Sequence, residues 1–173
     1  MVRYISVDVE TSGPLHGFHN LLEIGAVNCD NFSEKFQTYI IPLTLNWTDS
    51  ARSVNKPEEF YNIDNALRLD LAMIKFAKWL EGERPIFVGF NTVFDYGWIN
   101  YEFLRSSVGK NPFGINGIDI KAYAMGKLNC EWRETSKKGL KEKRIISRFL
   151  HTHNALEDAL EQADLFNQLR KII

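Results

Sequence analysis

Cysteine is scarce in this chain: Cys29 and Cys130 are the two thiols among 173 residues. They are too few and too far apart for a disulfide framework or a zinc knuckle, which leaves them as ordinary buried or half-buried thiols. No apolar run approaches the length that crosses a bilayer, and the first residues already read as a strand rather than a cleavable signal. A cytoplasmic protein is therefore expected. Net charge is also nearly absent, with 21 Lys and Arg against 22 Asp and Glu, which excludes a protein that holds nucleic acid by bulk positive charge. The balance is not even, however. Residues 121–148 carry nine Lys or Arg and three acids, a local excess of +6 that leaves the rest of the chain at −7. Such asymmetry suits a polyanion partner and equally suits a solvated helix face. Repeats, low-complexity segments and linkers are missing too, so 1–173 reads as one domain, long enough to bury a full core at 45% hydrophobic and 25% charged residues.

What is present is organised around Tyr4-Ile5-Ser6-Val7-Asp8-Val9-Glu10-Thr11-Ser12-Gly13-Pro14, a strand of β-branched and aromatic residues running into a turn. Side chains alternate along a strand, so Asp8 and Glu10 point to one side. Two like charges on one face of an apolar strand repel, and burying them is costly unless something positive lies between them. A divalent ion meets that need. A solvated edge strand would explain a lone Asp-x-Glu as well, so the choice rests on further carboxylates.

Leu21 to Val27 and Phe32 to Ile41, the latter ended by Pro42, lack helical periodicity and read as the second and third strands of an antiparallel meander. His16 and His19, in the loop before them, receive no role. Residues 42–63 read as irregular, anchored by Trp47, Pro57 and Tyr61. A helix is expected from Asp64 or Asn65 to Gly82, with Leu67, Leu71, Ile74, Ala77 and Leu80 as its apolar face. Ile86 to Phe90 is an apolar strand of the kind buried on both faces. It feeds a helix with Phe94, Trp98, Tyr101 and Leu104 or Arg105 on one side, and Asp95 in the first turn, where an acid also favours the helix dipole. Ile115 to Ile120 reads as a fifth strand, followed by a short helix near Lys121 to Leu128 and a helical run reaching Phe149 and Leu150. The last helix spans Ala155 to Arg170. Asn154 as cap and Glu157 three residues on form a capping box. His153 stands just before that helix and Asp158 one turn inside it. Singly, the first suits an exposed loop and the second a helix dipole.

Taken together, Asp8, Glu10, Asp95, His153 and Asp158 change the weighing. In this order they resemble the DEDDh family of 3′–5′ exonucleases. Asp8-Val9-Glu10-Thr11-Ser12-Gly13 is similar to the family's first motif, Gly89-Phe90-Asn91-Thr92-Val93-Phe94-Asp95 to its second and His153-Asn154-Ala155-Leu156-Glu157-Asp158-Ala159 to its third. Leu22 to Val27, Phe36 to Pro42 and Ile118-Asp119 extend the similarity over nearly the whole chain. Phe90 stands where the family often carries His, a departure outside the expected metal ligands that bears on substrate preference.

The resemblance implies an α/β, ribonuclease H-like fold, a five-stranded mixed sheet flanked by helices on both sides, in a single exonuclease domain. It implies hydrolysis at the 3′ ends of single-stranded RNA or DNA with release of nucleoside 5′-monophosphates, using two ions about 4 Å apart. Asp8 would bridge the ions, Glu10 and Asp158 complete the first site, and Asp95 support the second. Oxygen ligands favour Mg²⁺ or Mn²⁺ over zinc. His153 would be the general base, because an imidazole titrates near neutrality. Thr11 and Asn91 would touch the terminal nucleotide. Phe94 would stack on a base or pack in the core, and Lys138 and Lys141, in the basic run, would hold phosphates. The expected partners are nucleic-acid 3′ ends, with a homodimer also open and no membrane. Two rival readings are weaker. A phosphatase with an Asp-x-Asp strand would place Asp at position 10, and a non-catalytic nucleic-acid-binding or processing-complex subunit on a decayed ribonuclease H-like fold would have lost ligands that are all present here.

Overall fold

The computed structural model describes residues 2–61, 63–82 and 84–172, without the side chains of Glu59 and Tyr61, so the anchoring expected of Tyr61 lies outside the described residues. Five strands, β1 (Arg3–Thr11), β2 (Leu21–Asn28), β3 (Asn31–Tyr39), β4 (Pro85–Gly89) and β5 (Gly117–Asp119), form one mixed sheet in the order β3-β2-β1-β4-β5. β1 to β3 are an antiparallel meander, while β4 and β5 run parallel to β1. The helices are α1 (Asp49–Asn55), α2 (Pro57–Tyr61), α3 (Leu69–Trp79), α4 (Thr92–Arg105), α5 (Ile120–Leu128), α6 (Lys137–Glu142) and α7 (Ala155–Arg170), with a 3₁₀ turn at Trp132–Thr135. Among the described residues no helix is long and apolar enough to cross a membrane.

Alternation in β1 divides the core in two. Ile5, Val7 and Val9 join Phe87, Met73, Phe76, Trp98 and Phe103 on one side, whereas Val27 and Val88 pack with Ile120, Leu140, Ala159, Ala163 and Phe166 on the other. Asp8 and Glu10 therefore leave the sheet on the face opposite Val7 and Val9. α7 crosses that face closely. Gly25 pairs with Asp8 across the β1–β2 ladder, and a Cβ there would stand 2.1 Å from the Ala155 carbonyl carbon. With no side chain at Gly25, the first turn of α7 lies against the strand beside Asp8.

The structure corrects several local expectations. α3 begins at Leu69 because Leu67 pairs with the end of β3, donating its N–H to the Tyr39 carbonyl while Ile41 N donates to the Leu67 carbonyl. Its buried face is Leu69, Ala72, Met73 and Phe76, capped by buried Leu80, and Leu71 and Ile74 are 51% and 45% exposed. In α4 the buried face is Asp95, Trp98, Ile99, Glu102 and Phe103, and Phe94, Tyr101 and Leu104 are exposed. β5 is only three residues long, and Ile115 lies in water at 90% exposure. The segment 42–63, expected to be irregular, contains two helices, α1 being capped by Thr48 Oγ1 on Ala51 N at 3.2 Å. The helical run after the basic stretch stops at Glu142. The two thiols are free, with Cys29 buried and Cys130 half-buried, as expected.

Candidate active site

Each motif acid sits where an element ends. Asp8 and Glu10 close β1, Asp95 opens α4 just beyond β4, and Asp158 lies in the first turn of α7. Asp8, Glu10 and Asp158 each offer a carboxylate oxygen within 4.8 Å of the others. Asp95 stands beside this group, but its Oδ1 accepts from Val9 N at 3.1 Å. That bond ties the first turn of α4 to the backbone between Asp8 and Glu10.

The charges are poorly compensated. Glu10, Asp95 and Asp158 are buried and Asp8 is half-buried. Protein nevertheless surrounds the Asp8 carboxylate so densely that burial is the leading cause of its raised pKa, followed by repulsion from Asp95, Asp158 and Glu10, with Lys137 opposing. Burial lifts Glu10 to about 7 against a hydrogen bond from Asn55, with Glu23 and Asp158 adding repulsion. Asp95 is lifted to about 7, again mainly by burial, against the bond from Val9. Clustered hard oxygen donors that hold protons to near neutrality are a set that a divalent cation satisfies, because it replaces both the missing solvent and the missing counter-charge. The residues fit such an ion, with Asp8, Glu10 and Asp158 as converging ligands and Asp95 within electrostatic reach.

The side chains of Gln162, Asn55 and His151 reach these acids from outside the motifs. Gln162 Nε2 donates to Asp8 Oδ1 at 2.5 Å while its Oε1 accepts from Phe90 N at 2.9 Å, which fixes the amide and aims the carboxylate. Its spacing from Asp158, one helical turn along α7, is the signal that could have found it. Asn55, at the end of α1, reaches Glu10 and also donates to the Thr11 carbonyl at 3.2 Å. No local pattern marks it. His151 places Nδ1 2.7 Å from Asp158 Oδ2, with Lys137 Nζ 3.0 Å from the same nitrogen. Its closeness to His153 in the sequence is a hint.

His153 has a left-handed backbone, φ 58°, and an exposed ring whose centroid is 4.5 Å from that of His151. With Glu10, Thr11, Phe94, Val54 and Asn55 it lines a cleft of about 420 Å³ beside the acids. Phe94 is 41% exposed and lines this cleft instead of packing in the core. Asn91 is absent from the lining, and its Oδ1 accepts from Lys121 Nζ at 3.1 Å. Lys138 and Lys141 line a second cleft with Lys137, Phe149 and His151. The capping box is only half formed. Asn154 Oδ1 accepts from Glu157 N at 3.2 Å, but the Glu157 carboxylate takes the Thr152 hydroxyl at 2.5 Å. Asn154 also donates to Glu23 Oε1 at 3.1 Å, locking the start of α7 onto β2. His16 packs on Trp98 and Tyr101, and His19 accepts from Leu15 N at 3.0 Å.

Comparison with known proteins bears on this arrangement. The model of the family described as Exonuclease (RNase_T) matches residues 5–166. The 3′-5′ DNA exonuclease Cap18 of Escherichia coli is 37% identical over 175 residues, covering 98% of this chain and 92% of that protein. Among solved structures, the nuclease domain of 3′hExo, a DEDDh family member bound to rAMP, matches with a TM-score of 0.76 at 16% identity over 97% of this chain and 92% of that one. Exonuclease X in complex with 5′ overhanging duplex DNA matches with a TM-score of 0.63 at 19% identity over 98% and 90%. These two likenesses speak for the fold.

Proposed function

The chain belongs to the exonuclease (RNase_T) family, as a DEDDh-type 3′–5′ exonuclease, and from that premise we propose that it shortens single-stranded DNA from the 3′ end, releasing nucleoside 5′-monophosphates with two ions of Mg²⁺ or Mn²⁺. The observation that carries this reading is the convergence of Asp8, Glu10 and Asp158 within 4.8 Å, with Asp95 alongside, next to an open cleft. The choice of DNA rests on the 37% identical relative, a DNA exonuclease.

Bound at the carboxylates, the ions would supply an activated water and stabilise charge on the departing 3′ oxygen. The chain does the rest. Thr11 and Phe94 hold the terminal nucleotide in the cleft they line with Glu10. His153, exposed at its edge, takes the proton of the attacking water and passes it to solvent. Gln162 keeps the Asp8 carboxylate aimed through its two hydrogen bonds. Lys137, Lys138 and Lys141, along the second cleft, receive phosphates of the remaining strand.

The test uses 5′-labelled single-stranded DNA, single-stranded RNA and duplex DNA, each with Mg²⁺, Mn²⁺ or chelator. The expected result is a ladder shortening from the 3′ end with monophosphate product, strongest on single-stranded DNA and absent in chelator. Internal cutting, or full activity in chelator, refutes the reading. Preference for RNA overturns the choice of substrate alone.

A further inference from the structure

The cleft lined by Glu10, Thr11, Phe94 and His153 accounts for a terminal nucleotide, and it shares no residue with a second feature on the Asp8 side. Phe90 lies one hydrogen-bonded side chain from Asp8, because Gln162 accepts from Phe90 N and donates to Asp8. Two ammonium groups approach the Phe90 ring, Lys121 at 5.9 Å and Lys137 at 5.6 Å from its centroid. Lys121 also lies 4.3 Å from the centre of the Trp132 indole and donates to Asn91. Trp132 is 49% exposed, yet its backbone is held in place. Its turn is closed by a capping box between Glu131 and Glu134 and by the Thr135 hydroxyl donating to the Trp132 carbonyl at 2.7 Å. A single exposed tryptophan needs no explanation. One on a hydrogen-bonded turn, joined through a lysine to an aromatic ring at the rim of the carboxylate site, presents stacking surface and positive charge together, the pairing that single-stranded nucleic acid requires.

We propose that Trp132, Lys121 and Phe90 form a platform for the nucleotides on the 5′ side of the scissile bond, with a base stacked on the Trp132 indole and Lys121 on the adjoining phosphate. This rests on the exonuclease reading and adds the path of the strand: terminal nucleotide in the Glu10 cleft, scissile phosphate at Asp8, upstream bases toward the 3₁₀ turn. A base arriving at the indole displaces the Lys121 ammonium from the ring. The lysine stem is flexible enough to turn it to the phosphate. Stacking of this kind tolerates every base, so the platform adds affinity without sequence preference.

The experiment compares two substrates, a single-stranded DNA ten-mer and the p-nitrophenyl ester of thymidine 5′-monophosphate, which has no upstream base. Trp132→Ala should raise KM for the ten-mer by roughly tenfold, the loss of one base–aromatic stack, with kcat nearly unchanged. Its turnover of the ester should match wild type, which also shows that the variant is folded. Trp132→Phe should restore most of the ten-mer KM, and Lys121→Gln should raise that KM and flatten its salt dependence. Equal ten-mer KM values for Trp132→Ala and wild type overturn the platform and leave the exonuclease reading standing. No hydrolysis of either substrate by wild type with Mg²⁺ or Mn²⁺ overturns the exonuclease reading on which the platform depends.

Discussion

Replacing Glu10 with Gln tests whether the carboxylate cluster strains the metal-free fold. The folded chain holds the Glu10 proton up to about pH 7 against an ordinary value of 4.5, chiefly because the group is buried. Between those two pH values the unfolded chain has released a proton that the folded chain still binds, so stability falls as pH rises through the window. Each tenfold change in proton affinity is worth about 1.4 kcal/mol. The full cost of ionising Glu10 in the fold is therefore about 3 kcal/mol, absent below pH 4.5 and complete above pH 7. Gln is close in shape and keeps an oxygen for the Asn55 amide, but it carries no charge.

In chelator, Glu10→Gln should match wild type near pH 4.5 and exceed it by about 3 kcal/mol at pH 8. Urea unfolding followed by tryptophan fluorescence at four pH values gives the difference directly. His16, whose pKa is lowered by burial, adds stability as pH rises through its range, an opposite slope present in both proteins that cancels in the difference. Millimolar Mg²⁺ should close most of that gap at pH 8, because selective binding to the native state adds about 2.7 kcal/mol when free ion exceeds its dissociation constant a hundredfold, and the variant lacks a ligand. A difference that does not vary with pH, or a variant less stable than wild type at pH 8 in chelator, refutes the argument that this carboxylate is held at a cost for the sake of an ion.

His153→Ala should lower kcat by roughly 10²- to 10⁴-fold, the contribution of a general base, while keeping the Mg²⁺-induced rise in melting temperature; wild-type rates across neutral pH would mean another group takes the proton. Replacing both Lys138 and Lys141 with Ala should weaken DNA binding alike for all sequences and flatten its salt dependence by up to about one unit of logarithmic slope for each phosphate left without its lysine, whereas an unchanged slope returns these lysines to a solvated face. Phe76→Ala, at a fully buried ring stacked on Phe36 and Phe103, should cost about 3–5 kcal/mol in urea unfolding, and a cost below about 1 kcal/mol would mean the two layers of that core can close the gap.

The motif acids are legible because each is fixed by local rules. Strand alternation puts Asp8 and Glu10 on one face, and the Asn154 cap places Asp158 in the first turn of α7 whatever the rest of the chain does. The meander follows from runs of β-branched residues in the same local way. The helix faces do not. In α3 the apolar set Leu67, Leu71, Ile74 has helical spacing as good as Leu69, Ala72, Met73, Phe76, and periodicity cannot choose between two apolar stripes on one helix. The choice is made by β3, whose end draws Leu67 into a bridge with Ile40, and by Phe36, which stacks on Phe76. Similarly, α1 is held near the site by Asn20 and Ser12, whose side chains take the backbone of residues 43–46, contacts no window of sequence contains.

The partners of the acids are hidden for the same reason, and their chemistry explains the electrostatics of the site. Gln162 reaches Asp8 across 154 positions and Asn55 reaches Glu10 across 45. Both are neutral amides. A lysine or arginine at either place would neutralise its carboxylate in the metal-free fold and then repel an incoming divalent ion, so the gain in stability would be taken from metal affinity. An amide aims the oxygen and leaves the charge uncompensated. Lys137 is the cation nearest to an exception, acting on Asp8, but its ammonium is bonded to Glu161 at 2.5 Å and shared with His151, which divides its influence. Affinity for the ion must therefore rise with pH until Glu10 and Asp95 have lost their protons near 7. Swapping Gln162 for Lys inverts that relation: the metal-free protein should become more stable at pH 8 while the metal-induced shift shrinks, and a Gln162→Lys protein that binds Mg²⁺ as tightly as wild type would show that charge at this position is irrelevant to the ion.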